Sequence, residues 1–225
     1  MVVLLDHPVL GLKGHLVLKL FDRRFAVQLR KDHKVNPWTS DIERQYHDFV
    51  LDGCASEFII KLNTDSKMAE DEGDTWNDPQ NEPYLHDHMQ DLYETEVELY
   101  QTLKDIQGKD IPQLFACLIV SSSSSSQEFS VNKYIDVPGV LLQYIDGFLL
   151  TDMAAHAPRE VWQSVCDDAI QIVNLIGDRG ILNGDVKTRN FIVQENPGRK
   201  FKVFMIDFAL CNFRRELCLP SICSI

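Results

Sequence analysis

The sequence predicts an α+β fold built from antiparallel strands and amphipathic helices. Three observations predict it: paired apolar runs near the start of the chain, a long helix with one apolar stripe, and a β-hairpin near the end. With 225 residues, of which 44% are hydrophobic, the chain can bury a core in one or two domains.

The opening strands are predicted at residues 2–5 and 15–20, two apolar runs joined by a turn at 11–14. Residues 57–62 predict another short strand. Two further runs, 111–120 and 140–145, extend the predicted sheet. The serine run at 121–126 between them is predicted to be a flexible hairpin loop.

Helices are predicted where apolar residues share one face. After Thr39, these residues are Ile42, Tyr46, Phe49 and Val50. A later helix begins near Pro158 and ends before Gly180. The acidic run at 63–81 is predicted to be a mobile insertion.

The clearest helix covers residues 83–105. Its apolar stripe consists of Leu85, Met89, Leu92, Tyr93, Leu99, Tyr100 and Leu103. Glu96 lies at the centre of that stripe, where a carboxylate is costly unless it is paired. The helix therefore predicts a cationic partner for Glu96, unless the side chain lies at the margin and reaches water.

Two lysines are candidates for that partnership. Lys19 lies in the apolar run 16–20, and Lys61 lies in the run 58–62. Either could instead be a strand residue that faces solvent. Lys19 is favoured, for a reason given with the resemblance below.

Charge and composition exclude several classes of protein. The net charge is −12, and residues 64–98 hold twelve Asp or Glu against one Lys, so nonspecific nucleic-acid binding is not expected. The basic stretch from Arg23 to Lys34 is interpreted as a solvated face rather than a docking patch. Six cysteines without a C-x-x-C pair predict neither a zinc nor a disulfide framework. His86 and His88 face different sides of their helix and predict no metal pair.

The most specific pattern lies near the end of the chain. The segment 182–190 carries Asp185, Lys187 and Asn190, and Asp207 follows after a predicted hairpin of two apolar runs around a Pro-Gly turn. A hairpin brings the residue before its first strand beside the residue after its second. Asn190 and Asp207 are therefore expected to converge as oxygen ligands for a hard cation carrying nucleotide phosphates. Polar hairpin ends are the plain alternative, because Asp and Asn are ordinary turn residues.

This pattern resembles the catalytic loop and metal-binding turn of protein kinases, H-R-D-L-x-x-x-N followed by D-F-G. The segments 18–25 and 34–39 resemble the lysine strand region of a group of fungal kinase-like proteins, which favours Lys19 over Lys61. Those proteins have loops of the form G-D-V-K-x-R-N and share features with aminoglycoside and small-molecule kinases.

The resemblance implies a two-lobed protein-kinase-like fold. Residues 1–145 would be the N-terminal lobe, with an antiparallel sheet, one long helix and an insertion at about 21–81; residues 146–225 would be an incomplete C-terminal lobe. It also implies binding of ATP and Mg²⁺ and transfer of the γ-phosphate to a hydroxyl of a protein or small molecule.

The resemblance assigns roles to individual residues as follows. Asp185 would be the base, and Lys187 would screen the transferred phosphate. Asn190 and Asp207 would bind the metal ion, and Lys19 or Lys61 would position the phosphates together with Glu96. The adenine would meet the backbone of Gln143, Tyr144 and Ile145.

Departures from the kinase pattern support a second hypothesis, a pseudokinase or truncated interaction module without turnover. Asn183 replaces the loop histidine and Ala209 replaces the glycine of D-F-G. No G-x-G-x-x-G precedes the lysine strand, and the chain is expected to be truncated at both ends.

The substrate is not predicted. Without a signal peptide or membrane-spanning run, a cytoplasmic or nuclear location and no membrane partner are expected.

Overall fold

A computed structural model describes residues 1–7, 12–65, 67–121, 133–198 and 200–215. It contains antiparallel sheets and several helices, which confirms the predicted α+β class. The chain divides into two compact units. The first unit comprises Met1–Val97 and Leu114–Tyr144, and the second comprises Glu98–Gln113 and Ile145–Ile225.

The first unit contains a four-stranded antiparallel sheet of order β1-β2-β4-β3. Its strands are β1 (Val2–His7), β2 (Leu12–Leu20), β3 (Leu114–Val120) and β4 (Val137–Gln143). Residues 12–14, expected in a turn, belong to β2 instead, since they pair with β1. A Cβ at Gly139 would lie 2.9 Å from the Lys19 carbonyl oxygen, so glycine permits the close approach of β4 to β2. The serine run from Ser122 lies outside the described residues.

Five helices belong wholly or mainly to this unit: α1 (Val27–Asp32), α2 (Ser40–Leu51), α3 (Cys54–Thr64), α4 (Met68–Glu72) and α5 (Asp78–Thr102). Helix α2 confirms the prediction after Thr39, whose hydroxyl accepts a hydrogen bond from the Ile42 amide at 3.2 Å.

The strand predicted at 57–62 is wrong, because these residues lie within α3. A short apolar run does not distinguish a buried strand from a buried helix face. Phe58 and Leu62, one helical turn apart, pack in the cluster that contains Met68 and Tyr84. Tertiary packing therefore decided the conformation of this run.

The acidic run is not an irregular insertion in its described part. Residues 68–75 form α4 and a 3₁₀ turn, Gly73–Thr75. Met68 is buried, and the Trp76 ring packs edge-on against Phe58 and Tyr84, with centroids 5.0 and 5.2 Å apart. Glu70, Asp71 and Glu72 are exposed, so these acidic side chains lie on the outer surface of α4.

Helix α5 begins earlier than predicted, at Asp78, and Pro83 lies in its second turn. A proline so near the helix start removes only one backbone hydrogen bond. The extra turn brings Glu82 into the core, where it is fully buried.

The solvated basic face predicted between Arg23 and Lys34 is wrong for Arg23 and Arg30, whereas Lys31 and Lys34 are exposed. Arg23 and Arg30 are only 5% and 4% exposed, and both pair with Glu82. Arg30 Nη2 lies 2.8 and 2.9 Å from the two Glu82 carboxylate oxygens. The Arg23 guanidinium also lies 4.2 Å from the Tyr46 ring centroid and donates to Glu43 at 2.7 Å. The guanidinium groups of Arg23 and Arg30 point inward because the buried Glu82 carboxylate requires cationic partners.

The second unit has two small antiparallel sheets and two described helices. Strands β5 (Phe148–Leu149), β7 (Phe191–Asn196) and β8 (Lys200–Met205) form one sheet, and β6 (Ile181–Asn183) pairs with β9 (Cys211–Phe213). The helices are α6 (Met153–His156) and α7 (Trp162–Gly177). Helix α7 packs on β8 through Val165, Ala169, Ile172 and Ile176, as its apolar periodicity predicted.

Among the residues that the structure describes, no helix is both long enough and apolar enough to cross a membrane.

Candidate functional site

In the first unit, Lys19 is the partner of Glu96. The Lys19 ammonium on β2 donates a hydrogen bond to Glu96 Oε2 on α5, and the two groups form an ion pair. The Glu96 side chain is fully buried, whereas that of Lys19 is 28% exposed. The glutamate on the apolar helix face therefore lies in the core as predicted, and its cation still reaches solvent.

Lys61 does not take part in this pair. It lies on α3, with its ammonium 3.4 Å from Glu72 Oε2, and both side chains are exposed. A lysine on the outer surface of a helix makes an ordinary surface ion pair, which contributes little. The choice between the two lysines is thereby decided for Lys19.

The three residues expected to meet adenine surround the end of β4. Gln143 is the last residue of the strand and pairs with Leu16 of β2. The Tyr144 ring lies 5.8 Å from the ring of His15. Ile145, the first residue assigned to the second unit in this segment, is buried. Their role toward a nucleotide stays a prediction.

In the second unit, the predicted hairpin is present. Strands β7 and β8 pair in register from Phe191 opposite Met205 to Asn196 opposite Lys200. At the open end the Ile206 amide donates to the Asn190 carbonyl at 2.8 Å. This bond links Asn190 with the residue that precedes Asp207, while the binding of a cation by the side chains of Asn190 and Asp207 stays a prediction.

Asp185 is the centre of a hydrogen-bonded loop. The Asn190 amide nitrogen donates to the Asp185 carbonyl at 2.7 Å and to its carboxylate Oδ2 at 3.1 Å. Lys187 forms an ion pair with Asp185 Oδ1, and Arg189 Nη2 lies 3.3 Å from Oδ2. Asn190 is buried, whereas Lys187 and Arg189 are exposed.

These donors act on the acidity of Asp185. The hydrogen bond from Lys187, followed by that from Asn190, lowers the pKa of the Asp185 carboxyl below its ordinary value; the charges of Lys187 and Arg189 act in the same direction. Asp185 is thus held as a carboxylate, the protonation state that a general base requires.

Asn183, which occupies the place of the kinase histidine, joins the two acidic positions. Its Oδ1 accepts a hydrogen bond from the Asp185 amide at 2.8 Å, and its Nδ2 donates to the Asp207 carbonyl at 3.4 Å. The substitution therefore keeps a bridging hydrogen-bonding role.

Asp207 has a φ of 66°, in the left-handed region that few non-glycine residues adopt. Among the described residues, Lys34 is the other non-glycine residue with positive φ. Such conformations persist where the surrounding structure determines them and are frequent at functional sites. The Asp207 side chain is exposed and lies two residues after the end of β8.

Arg189 was not among the residues predicted from the sequence. Its position four residues after Asp185, across a 3₁₀ turn at Thr188–Asn190, was the available signal. That turn also places the Thr188 hydroxyl 2.9 Å from the Thr151 hydroxyl.

The α+β fold and the loop of the second unit fit a protein-kinase-like class, and comparison with known proteins supports the same superfamily. Over 74 residues the chain is 31% identical to the KEOPS complex subunit Bud32 of Pyrococcus abyssi. The match covers 33% of this chain and 31% of that protein, so the chain spans about a third of its relative's length. No family model matches the chain.

Proposed function

We propose that this chain is a kinase-type domain that binds ATP with Mg²⁺ and transfers the γ-phosphate to a hydroxyl group. The observation that carries the proposal is the loop in which Asp185 is held by Lys187 and Asn190 next to the hairpin that leads to Asp207. The partial similarity to Bud32 supports a kinase-like origin.

Each group has a chemical task in this proposal. Asp185, held as a carboxylate, would accept the proton of the attacking hydroxyl, and Lys187 would screen the transferred phosphate. Because the Asn190 nitrogen bonds to Asp185, its carbonyl oxygen Oδ1 is the atom that would bind Mg²⁺, together with the Asp207 carboxylate. Lys19, oriented by Glu96, would bind the α- and β-phosphates.

A pseudokinase without turnover is the second candidate. One observation favours it: the Asp185 carboxylate already carries an ion pair to Lys187, a contact to Arg189 and a hydrogen bond from Asn190. These three donors occupy most of the roughly four acceptor positions of the Asp185 carboxylate, which leaves little room for an incoming hydroxyl. The alanine at position 209 also lacks the backbone freedom of the usual glycine.

Thermal unfolding with ATP and Mg²⁺ tests the proposal. At ATP·Mg concentrations near 100 times Kd, the wild-type chain should be stabilised by about 2.7 kcal/mol, and omission of Mg²⁺ should reduce the effect. Asp207→Asn should lose the magnesium-dependent part, whereas the exposed Asp178→Asn, also in the second unit, should keep it. No shift for the wild type would end the nucleotide-binding proposal.

Phosphate transfer distinguishes the two candidates. Release of phosphate or labelling of an acceptor by the wild-type chain, abolished in Asp185→Asn, would support the kinase. Binding of ATP·Mg without either product would support the pseudokinase.

A further inference from the structure

A second cluster of chemically active side chains lies in the first unit and has no part in the proposed phosphoryl transfer. His33 ends α1 as its C-cap residue, and Tyr84 and His88 lie one turn apart on α5. His33 Nδ1 is 3.3 Å from the Tyr84 hydroxyl oxygen, and His88 Nε2 is 3.1 Å from the same atom. Both imidazole nitrogens thus lie within about 3.3 Å of the same phenol oxygen.

We propose that His33, Tyr84 and His88 form a binding site for a divalent transition-metal ion such as zinc or copper. Imidazole nitrogen is a preferred ligand of these ions, in contrast to the oxygen ligands that Mg²⁺ prefers. In a tetrahedral site with bonds of about 2.0–2.1 Å, neighbouring ligand atoms lie about 3.3 Å apart. The measured separations of 3.1 and 3.3 Å match that spacing.

The hydrogen-bonding pattern of the cluster is compatible with exchange for a metal. A hydroxyl has one hydrogen, so Tyr84 can donate to only one imidazole and must accept from the other. When a metal binds, both facing nitrogens offer lone pairs, and the imidazole that donated moves its hydrogen to its other ring nitrogen. The Tyr84 hydroxyl stops donating to the second imidazole, keeps its own hydrogen and offers an oxygen lone pair to the metal. Among the residues described, no group of three His, Cys, Asp or Glu side chains could hold a metal. The proposed site uses the Tyr84 phenol as its third donor because that oxygen faces both imidazoles.

Access and local geometry also suit a metal site. His33 is exposed and, with Tyr84, lines a cavity that also contains Asp32 and Glu70. The His33 and His88 rings lie 5.4 Å apart, and the chain turns sharply at Lys34, where φ is 57°. The nearby His86 does not take part, because its Nε2 bonds to the Lys133 carbonyl at 2.9 Å.

Zinc binding to the untagged chain at pH 7.5, measured by competition with a chromophoric chelator, tests the proposal. His33→Gln and His88→Gln should each weaken zinc binding by more than the roughly tenfold that loss of an outer-shell partner costs. Tyr84→Phe should weaken it by a smaller factor. His47→Gln, which removes a histidine located elsewhere in the first unit, should leave the affinity unchanged.

Cobalt(II) supplies a readout that a purely structural role would not change. The wild type should show d–d absorption bands of tetrahedral intensity, and these should disappear in His88→Gln, whose folding is checked by circular dichroism with chelator present. Equal zinc affinity in the wild type, His33→Gln and His88→Gln would overturn the proposal. Unchanged affinity in Tyr84→Phe would overturn the three-donor arrangement.

Discussion

Two carboxylates on one face of α5, Glu82 and Glu96, are both fully buried but have different partners. Glu82 is enclosed by Arg23 and Arg30, whose side chains are almost completely buried. Glu96 is paired with Lys19, which remains partly exposed. Both glutamates need a cation, but only at Glu96 can that cation also contact a ligand from solvent.

The difference separates a structural ion cluster from a candidate functional one. Arg30 also donates from Nε to the Arg23 carbonyl at 3.1 Å and from Nη1 to the Asn36 carbonyl at 2.9 Å. These bonds use guanidinium donors inside the protein, and the Arg30 pair with Glu82 connects α1 with α5. A lysine presents a single, movable ammonium. Burial alone therefore does not identify a functional carboxylate; the exposure of its partner does.

The largest effect is expected from Glu82→Gln. It leaves two buried guanidinium groups without a countercharge at this position, so the free energy of unfolding should fall by about 3–5 kcal/mol. Urea denaturation measures the change. Glu94→Gln on the exposed side of α5 is the control and should change stability by no more than about 0.5 kcal/mol. Equal effects of the two changes would remove the distinction between the two faces of the helix.

The second effect concerns pH, at His86 one turn after Glu82. Burial, with a further contribution from the charge of Arg23, lowers the pKa of His86 to about 4. The unfolded chain binds this proton near pH 6.5 and the folded chain does not, so stability is complete above about pH 6.5 and falls as the pH decreases toward 4. The loss amounts to about 1.4 kcal/mol for each unit of the pKa difference.

His86→Gln should remove this part of the pH dependence, and His47→Gln should preserve it. The quantity to compare is the difference between the wild-type and variant unfolding free energies across the pH range, since carboxyl groups titrate in both. A difference independent of pH would show that burial does not lower the pKa of His86.

The smallest effect is expected from Glu96→Gln. Lys19 loses the Glu96 carboxylate as a partner but is partly exposed and can be hydrated, so the free energy of unfolding should fall by about 1–3 kcal/mol, less than for Glu82→Gln. Under the proposed function the same change should weaken ATP·Mg binding, measured by calorimetry, whereas Glu82→Gln, where it folds, should not. A larger stability loss for Glu96→Gln would reverse the structural and functional assignments of the two glutamates.

Much of the fold could be predicted because its signals are local. The apolar stripe of α5, the periodicity of α7 and the turn between β7 and β8 each depend on neighbouring residues, and all three are present. The run at 57–62 could not be assigned in this way, because its helical conformation depends on packing against Met68 and Tyr84.

The sequence by itself determined the positions of Asp185, Lys187, Asn190 and Asp207, because their spacing and the hairpin between them are properties of one continuous segment. It also placed Glu96 on a buried helix face. Only the tertiary structure decided which cation meets each buried carboxylate: Lys19 rather than Lys61 for Glu96, and Arg23 with Arg30 for Glu82. The physical reason is that a buried charge is compensated by whichever partner the packing brings within contact, at any separation along the chain.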